Sequence, residues 1–154
     1  MRSTLLLLTS IVLGIAARAI DVSRLKAIRL VDSLQCKSAE PIVLECADYL
    51  LSRPCIEDDN ESSVRNFLYA WMIETPEHHF YFSEPLFLAV QKDSMLSGRY
   101  MACQAKVALS EAGGISNRDF KLKYIGIFLE YCSDPRNKTK LPADLVELEH
   151  ARRQ

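Results

Sequence analysis

The stretch Phe67–Phe82, FLYAWMIETPEHHFYF, decides how this chain folds. It holds six of the thirteen aromatic residues, including the single Trp. Large rings carry the greatest burial energies of any side chains, about 1.5–3 kcal/mol or more each when sequestered, so a small domain that owns this cluster folds onto it. The first half reads as the end of a helix. Val64, Phe67, Leu68, Trp71 and Met72 recur at i, i+3, i+4, i+7 and i+8, which lays one apolar stripe along a helix. That helix is predicted over about Ser62–Glu74. Thr75-Pro76 stops it, because the residue before a proline is pushed out of the helical region. Glu77–Phe82 is then a tight aromatic connector. Just upstream, the acidic run Glu57–Glu61 lacks the alternating ligands, central Gly and terminal Glu of a calcium loop. It reads as a cap, placing carboxylates at the positive end of the helix.

Working towards the N-terminus, Val22, Leu25, Ile28 and Val31 recur every three residues and predict a short helix over Asp21–Leu34. Lys37–Glu40 breaks the pattern, and Pro41 is expected to open a second helix. Its face is Ile42, Cys46, Tyr49 and Leu50, and Ser52-Arg53-Pro54 closes it. Working towards the C-terminus, Ser83 caps a short helix carrying Leu86, Phe87 and Val90. Asp93 or Ser94 caps a fifth that runs to Ala112, with Leu96, Tyr100, Cys103 and Val107 as its buried stripe. Gly98 within it costs about 1 kcal/mol relative to Ala and allows a close helix crossing. Gly113-Gly114 is a stop. Asn117 caps a sixth helix to about Cys132, faced by Phe120, Tyr124, Ile127, Phe128 and Tyr131, and Asp134-Pro135 ends it. A last helix is predicted from Pro142, anchored by Leu145 and Leu148. No stretch alternates as a strand does. The fold class is therefore all-α: one compact bundle of five to seven helices. The helices around Gly113-Gly114 form an antiparallel hairpin, with Phe67–Phe82 packed against it.

Residues 1–19 read as an export signal. Arg2 is the positive start, Leu5–Ala17 the apolar run, and Ala17-Arg18-Ala19 a small-x-small cleavage site. The run is shorter than the roughly 20 residues a membrane helix needs, and no later stretch approaches that length. Residues 20–154 then form the single helical domain, and the expected localisation is periplasmic or secreted. Without Arg2 and Arg18 the 19 basic residues fall to 17 against 20 acidic ones. That balance argues against nucleic acid as a partner, which calls for a basic excess. Export permits disulfides. The five cysteines, Cys36, Cys46, Cys55, Cys103 and Cys132, are odd in number, so one thiol has no intrachain partner. Cys46, Cys103 and Cys132 lie on apolar helical patterns and read as small buried hydrophobes. Cys36 with Cys46 or Cys55 is the bridge to test first.

The pattern W-M-x-x-T-P-[DE]-x-x-F, present as Trp71–Phe80, resembles one found in small exported proteins of Bacteroidetes-type bacteria. The stretches around Ala105-Lys106 and Tyr131–Asn137 are similar to the same group. The resemblance implies an exported all-helical protein and carries over no catalytic residue. In a bacterial host the sequons Asn60-Glu61-Ser62 and Asn137-Lys138-Thr139 are without meaning; in a eukaryotic one they are glycan acceptors.

Among chemistry-bearing residues, Glu77, His78, His79 and Glu84 form the one dense ligand-type cluster. Adjacent histidines project apart, and the H-E-x-x-H spacing of a zinc protease is missing. No nucleophile elbow, phosphate loop or dinucleotide glycine pattern occurs. The reading is therefore no catalytic residue, no metal and no cofactor. The candidate ligand or partner surface is Trp71, His78, His79, Phe80, Tyr81 and Phe82, because three consecutive aromatics on a connector cannot all point inward. Three functions follow. The leading one is a non-enzymatic module that binds an unknown protein partner. The second is a binder of a small apolar or carbohydrate ligand, which needs a pocket of about 300 Å³ or more. The third is a metal-dependent hydrolase using His78 or His79.

Overall fold

The computed structural model describes residues 20–82, 84–111 and 114–140. The leader 1–19, Ser83, Gly113 and the helix predicted from Pro142 lie outside the described residues; the short helix expected to be capped by Ser83 instead has Glu84 at its cap position, with no side-chain cap bond. Among the described residues six helices follow in order: α1 Val22–Ala27, α2 Ser33–Leu51, α3 Asp59–Glu74, α4 Pro85–Val90, α5 Ser94–Ser110 and α6 Asn117–Ser133, then one 3-10 turn at Pro135–Asn137. No strand occurs among the described residues, so the protein is an all-α bundle.

Five of the six helices start on a side chain that accepts a backbone N–H of the first turn: Asp21, Asp32, Asp58, Asp93 and Ser116. These caps set the boundaries and correct four expectations. Asp58, bonded to the Glu61 N–H at 2.7 Å, starts α3 three residues before Ser62. Ser116, not Asn117, caps α6. The first helix stops at Ala27, because Ile28 turns extended (φ −80°, ψ 129°). Asp32 then opens α2 by accepting the Gln35 N–H at 2.8 Å, so Pro41 lies inside this helix rather than at its head. A proline inside a helix removes one hydrogen bond and crowds the preceding turn, whichever way it faces. Here Pro41 is exposed, while Cys36 and Ala39 before it and Ile42 and Val43 after it all face the core. The Trp71 indole N–H also donates to the Cys36 carbonyl at 2.9 Å. Tertiary packing thus carries the helix through a residue that local preference would put at its start.

α5 is the centre. Leu96, every residue from Gly98 to Ala105, and Val107 are buried, and the helix packs against α2, α3, α4 and α6. One side of it, through Met101, Ala102 and Ala105, joins the core made by α1, α2 and α3. The other, through Leu96, Tyr100, Cys103 and Val107, joins the core made with α4 and α6. α6 runs antiparallel to α5: Arg99 meets Tyr131, Tyr100 meets Phe128 and Tyr124, and Glu111 meets Lys123. Gly114 makes the return with φ 79°, a left-handed conformation that suits glycine.

A helix buried all round must satisfy its polar side chains internally. Arg99, with no exposed surface, pairs with the equally buried Glu61 carboxylate of α3. It donates also to the Pro54 carbonyl at 3.0 Å and to the Tyr131 hydroxyl at 3.1 Å, and that hydroxyl in turn donates to the Arg53 carbonyl at 2.7 Å. Burial favours loss of the Arg99 proton. The Glu61 hydrogen bonds and the nearby Tyr131 outweigh it and hold the guanidinium charged.

Gly98 allows the expected close crossing. A Cβ there would sit 2.8 Å from Cγ of Arg65 and closer still to its Cδ. Arg65 is itself held between Glu57 and Glu61 at 3.4 Å each. Gly98→Ala gains about 1 kcal/mol of helix propensity but must displace that side chain, an overpacking cost of about 1–3 kcal/mol. Urea unfolding is expected to give a net loss of stability; a gain would mean that Arg65 repacks freely.

Candidate functional site: the aromatic connector

Thr75 ends α3 with its N–H on the Trp71 carbonyl at 2.9 Å, as the sequence predicts, and the connector after Pro76 runs to Phe82 without regular secondary structure. The buried Gln104 of α5 holds it in place. Its side-chain oxygen accepts the Tyr81 N–H at 2.8 Å and its amide nitrogen donates to the Tyr81 carbonyl at 3.2 Å. One amide side chain thereby stands in for a neighbouring strand.

An extended segment points successive side chains to opposite sides, and the rings follow that rule. His78 and Phe80 lie on Trp71, ring centres 5.5 and 5.6 Å away. Phe82 sits between Tyr69 at 6.1 Å and Phe87 at 5.5 Å. Tyr81 turns the other way, onto Phe120 and Tyr124. His79 is exposed. Phe80 packs against both cores, Phe82 against the first and Tyr81 against the second. The connector is the seam that closes one core onto the other. Trp71 is wholly buried with its N–H satisfied, so it offers no surface. His78 is half-buried, its Nε2 3.1 Å from a Glu40 oxygen. His78 and His79 point apart, and among the described residues no group of three or more ligand-type side chains is placed to hold a metal ion.

The sequence reading missed the apolar surface beside this seam. Tyr69 is 47 % exposed, Ile73 56 % and Leu88 48 %. Tyr69 and Ile73 stand one turn apart on the face of α3 opposite its buried stripe, where polar residues are the rule. That apolar pair at i, i+4 was the signal. Two open hollows, of about 230 and 220 Å³, lie instead along α6. Leu51, Ile127 and Asn137 line the first, and Lys106, Lys123 and Ile127 the second. No connector ring lines either one.

The proposed bridge within α2 is excluded by geometry. Cys36 and Cys46 lie ten residues apart on one helix, about 15 Å along its axis, beyond the reach of a disulfide. Cys36 and Cys55 are also free thiols; the first is in the core of α2 and α3, and the second packs on the core of α4, α5 and α6. Cys46, Cys103 and Cys132 are buried, as their apolar patterns predict. Burial pushes the Cys103 thiol far up and the Cys46 thiol to about 12, so neither supplies a thiolate at neutral pH. No helix among the described residues is long and apolar enough to cross a membrane. No family model matches the chain, and neither does a curated protein or a solved structure.

The same burial makes an alkaline prediction. It raises Tyr131 from 10.0 to about 12 and Cys46 from 9.0 to about 12. The fold keeps both groups protonated where the unfolded chain ionises them, so their contribution is complete below pH 9.0 and is lost as pH rises to about 12. Urea midpoints measured under reducing conditions are expected to fall steadily across that window; a flat profile would contradict the burial of these groups.

Proposed function

We propose that this chain is an exported, non-enzymatic interaction module that docks a protein partner on the α3–connector–α4 surface. The observation that carries the reading is the exposed pair Tyr69 and Ile73, one turn apart on α3, with the half-buried Phe82 packed on Tyr69; Leu88, the neighbour of the Phe87 that meets Phe82, is exposed as well. Apolar surface gathered in one place on a small protein marks contact with something else more often than apolar residues scattered singly do. Export to the periplasm or medium is part of the proposal. It rests on the leader pattern of residues 1–19. The surface differs from the sequence-based candidate: Trp71 and Tyr81 serve the cores, and Tyr69, Ile73 and Leu88 take their place.

Site-specific photocross-linking in the native host tests the surface. A photoreactive residue at 69 or 88 is expected to trap a discrete partner, whereas one at the exposed Arg118 of α6 traps none. Equal trapping from all three positions would remove this face as the docking site. N-terminal sequencing of the exported protein is expected to start at Ile20.

A further inference from the structure

The chain leaves the described residues at the edge of a trough that they leave unfilled. After α6 the 3-10 turn Pro135–Asn137 ends at Lys138, whose left-handed backbone (φ 54°) redirects the chain. Hydrogen bonds pin this corner. The Asn137 carbonyl accepts the Cys55 N–H at 2.8 Å, its side-chain amide donates to the Tyr131 carbonyl at 2.7 Å, and the Thr139 hydroxyl donates to the Cys132 carbonyl at 2.8 Å. The course of the chain is thus set as far as Thr139, next to Lys140, the last described residue. Asn137 is at the same time a wall of the first hollow, beside Leu51, Ile127 and Glu130. Ile127 is shared with the second hollow, whose other walls include Lys106, Val107 and Lys123. The two hollows therefore follow one another along α6, past Glu130, Ile127 and Lys123, which stand about a turn apart on one face. Their apolar walls, Leu51, Ile127 and Val107, come from α2, α6 and α5.

The sequence continues past Lys140 with residues 141–154, LPADLVELEHARRQ. Leu141, Leu145 and Leu148 recur at i, i+4 and i+7, the stripe of an amphipathic helix, and Pro142 suits its first turn. As a helix this segment would measure about 21 Å, against about 12 Å along α6 from Tyr131 to Lys123. It is long enough to run back past both hollows. In that direction Glu149 comes level with Lys123, and Arg152 with Glu111, the partner of Lys123. At the near end the exposed Glu130 comes level with the positive pole of the segment's helix. We propose that residues 141–154 lie antiparallel to α6 with Leu141, Leu145 and Leu148 in the trough, so that the chain itself covers this side of the bundle. Tethering favours this occupant over others. A segment joined to a fixed point beside its site has an effective concentration on the order of millimolar, which a second copy or a partner protein has to exceed. The placement does not depend on the interaction-module reading.

Photocross-linking in the purified full chain, read by mass spectrometry of the digested protein, tests the placement. A photoreactive side chain in place of the exposed Glu130 is expected to capture the stretch around Leu141, and one in place of the exposed Lys123 the stretch around Leu148, each within a single chain. One in place of Leu122, 60 % exposed and on the other side of α6, is expected to capture neither. Leu145→Asp with Leu148→Asp is expected to abolish both captures without changing the emission of the buried Trp71, which reports that the bundle stays folded. Leu145→Ser, a milder change, is expected to weaken both and serves where the double variant does not fold. Failure to capture residues 141–154 from position 123 or from position 130, equal capture from position 122, or undiminished capture in the leucine variants overturns the placement. Captures in the reverse order overturn the antiparallel direction. Capture of a second chain in place of residues 141–154 of the same one gives the trough to another copy and overturns the proposal as well.

Discussion

The pairing of Arg99 with Glu61 is the constraint on which the other contacts depend. A guanidinium inside a protein is tolerated only when a carboxylate and further acceptors surround it. Glu61 comes from the first turn of α3, the Pro54 carbonyl from the loop after α2, and the Tyr131 hydroxyl from the last turn of α6. Arg99 lies 32 residues from Tyr131, 38 from Glu61 and 45 from Pro54. Each must be in place for α5 to be buried, and α5 must be buried for the two cores to share a wall. Such a pair adds little net stability compared with apolar side chains of the same shape. Its consequence is a single arrangement: no other placement of α5 supplies Arg99 with its acceptors.

The aromatic connector completes what this pair begins. Gln104, just over one turn beyond Arg99, holds the Tyr81 backbone; the Tyr81 ring goes to the core of α4, α5 and α6, Phe82 goes to that of α1, α2 and α3, and Phe80 packs on both. Polar side chains of the central helix therefore set the register, and aromatic side chains of the connector fill it. The half-buried state of Phe80, Tyr81 and Phe82 follows directly, since a seam has one side in the protein and one side in solvent. The apolar surface of α3 and α4 is the outer continuation of that seam, which is why the candidate docking face lies there and not over the hollows along α6.

The all-helical fold was legible in the pattern of α3, α5 and α6, where apolar residues recur with a helical period, and in Asp58, Asp93 and Gly98. Pro41 misled because its helix is held by Trp71 and by core contacts that no local preference encodes. Arg99 and Gln104 were invisible for a related reason. A polar residue on a helix normally marks the solvent face, and only the three-dimensional arrangement reveals a helix surrounded on every side. Glu61 was read with the acidic cap around it, although Asp58 does the capping and Glu61 points inward. The connector's rings were legible as a cluster; their alternation between two cores needed the extended backbone that Gln104 imposes. Of the candidate site, the segment was found, but Trp71 proved internal and the exposed neighbours Tyr69, Ile73 and Leu88 were passed over.

Replacing one partner of the buried pair tests the central claim most directly. Arg99→Met leaves the Glu61 carboxylate buried without its counter-charge, and Tyr131 and Pro54 without their donor. Urea unfolding at neutral pH is predicted to show a loss of about 3–5 kcal/mol, with the double replacement Arg99→Met and Glu61→Leu recovering most of it. A single Arg99→Met variant within about 1 kcal/mol of the parent protein would contradict the account, because the acceptors gathered around that side chain would then not be what sets α5 in place.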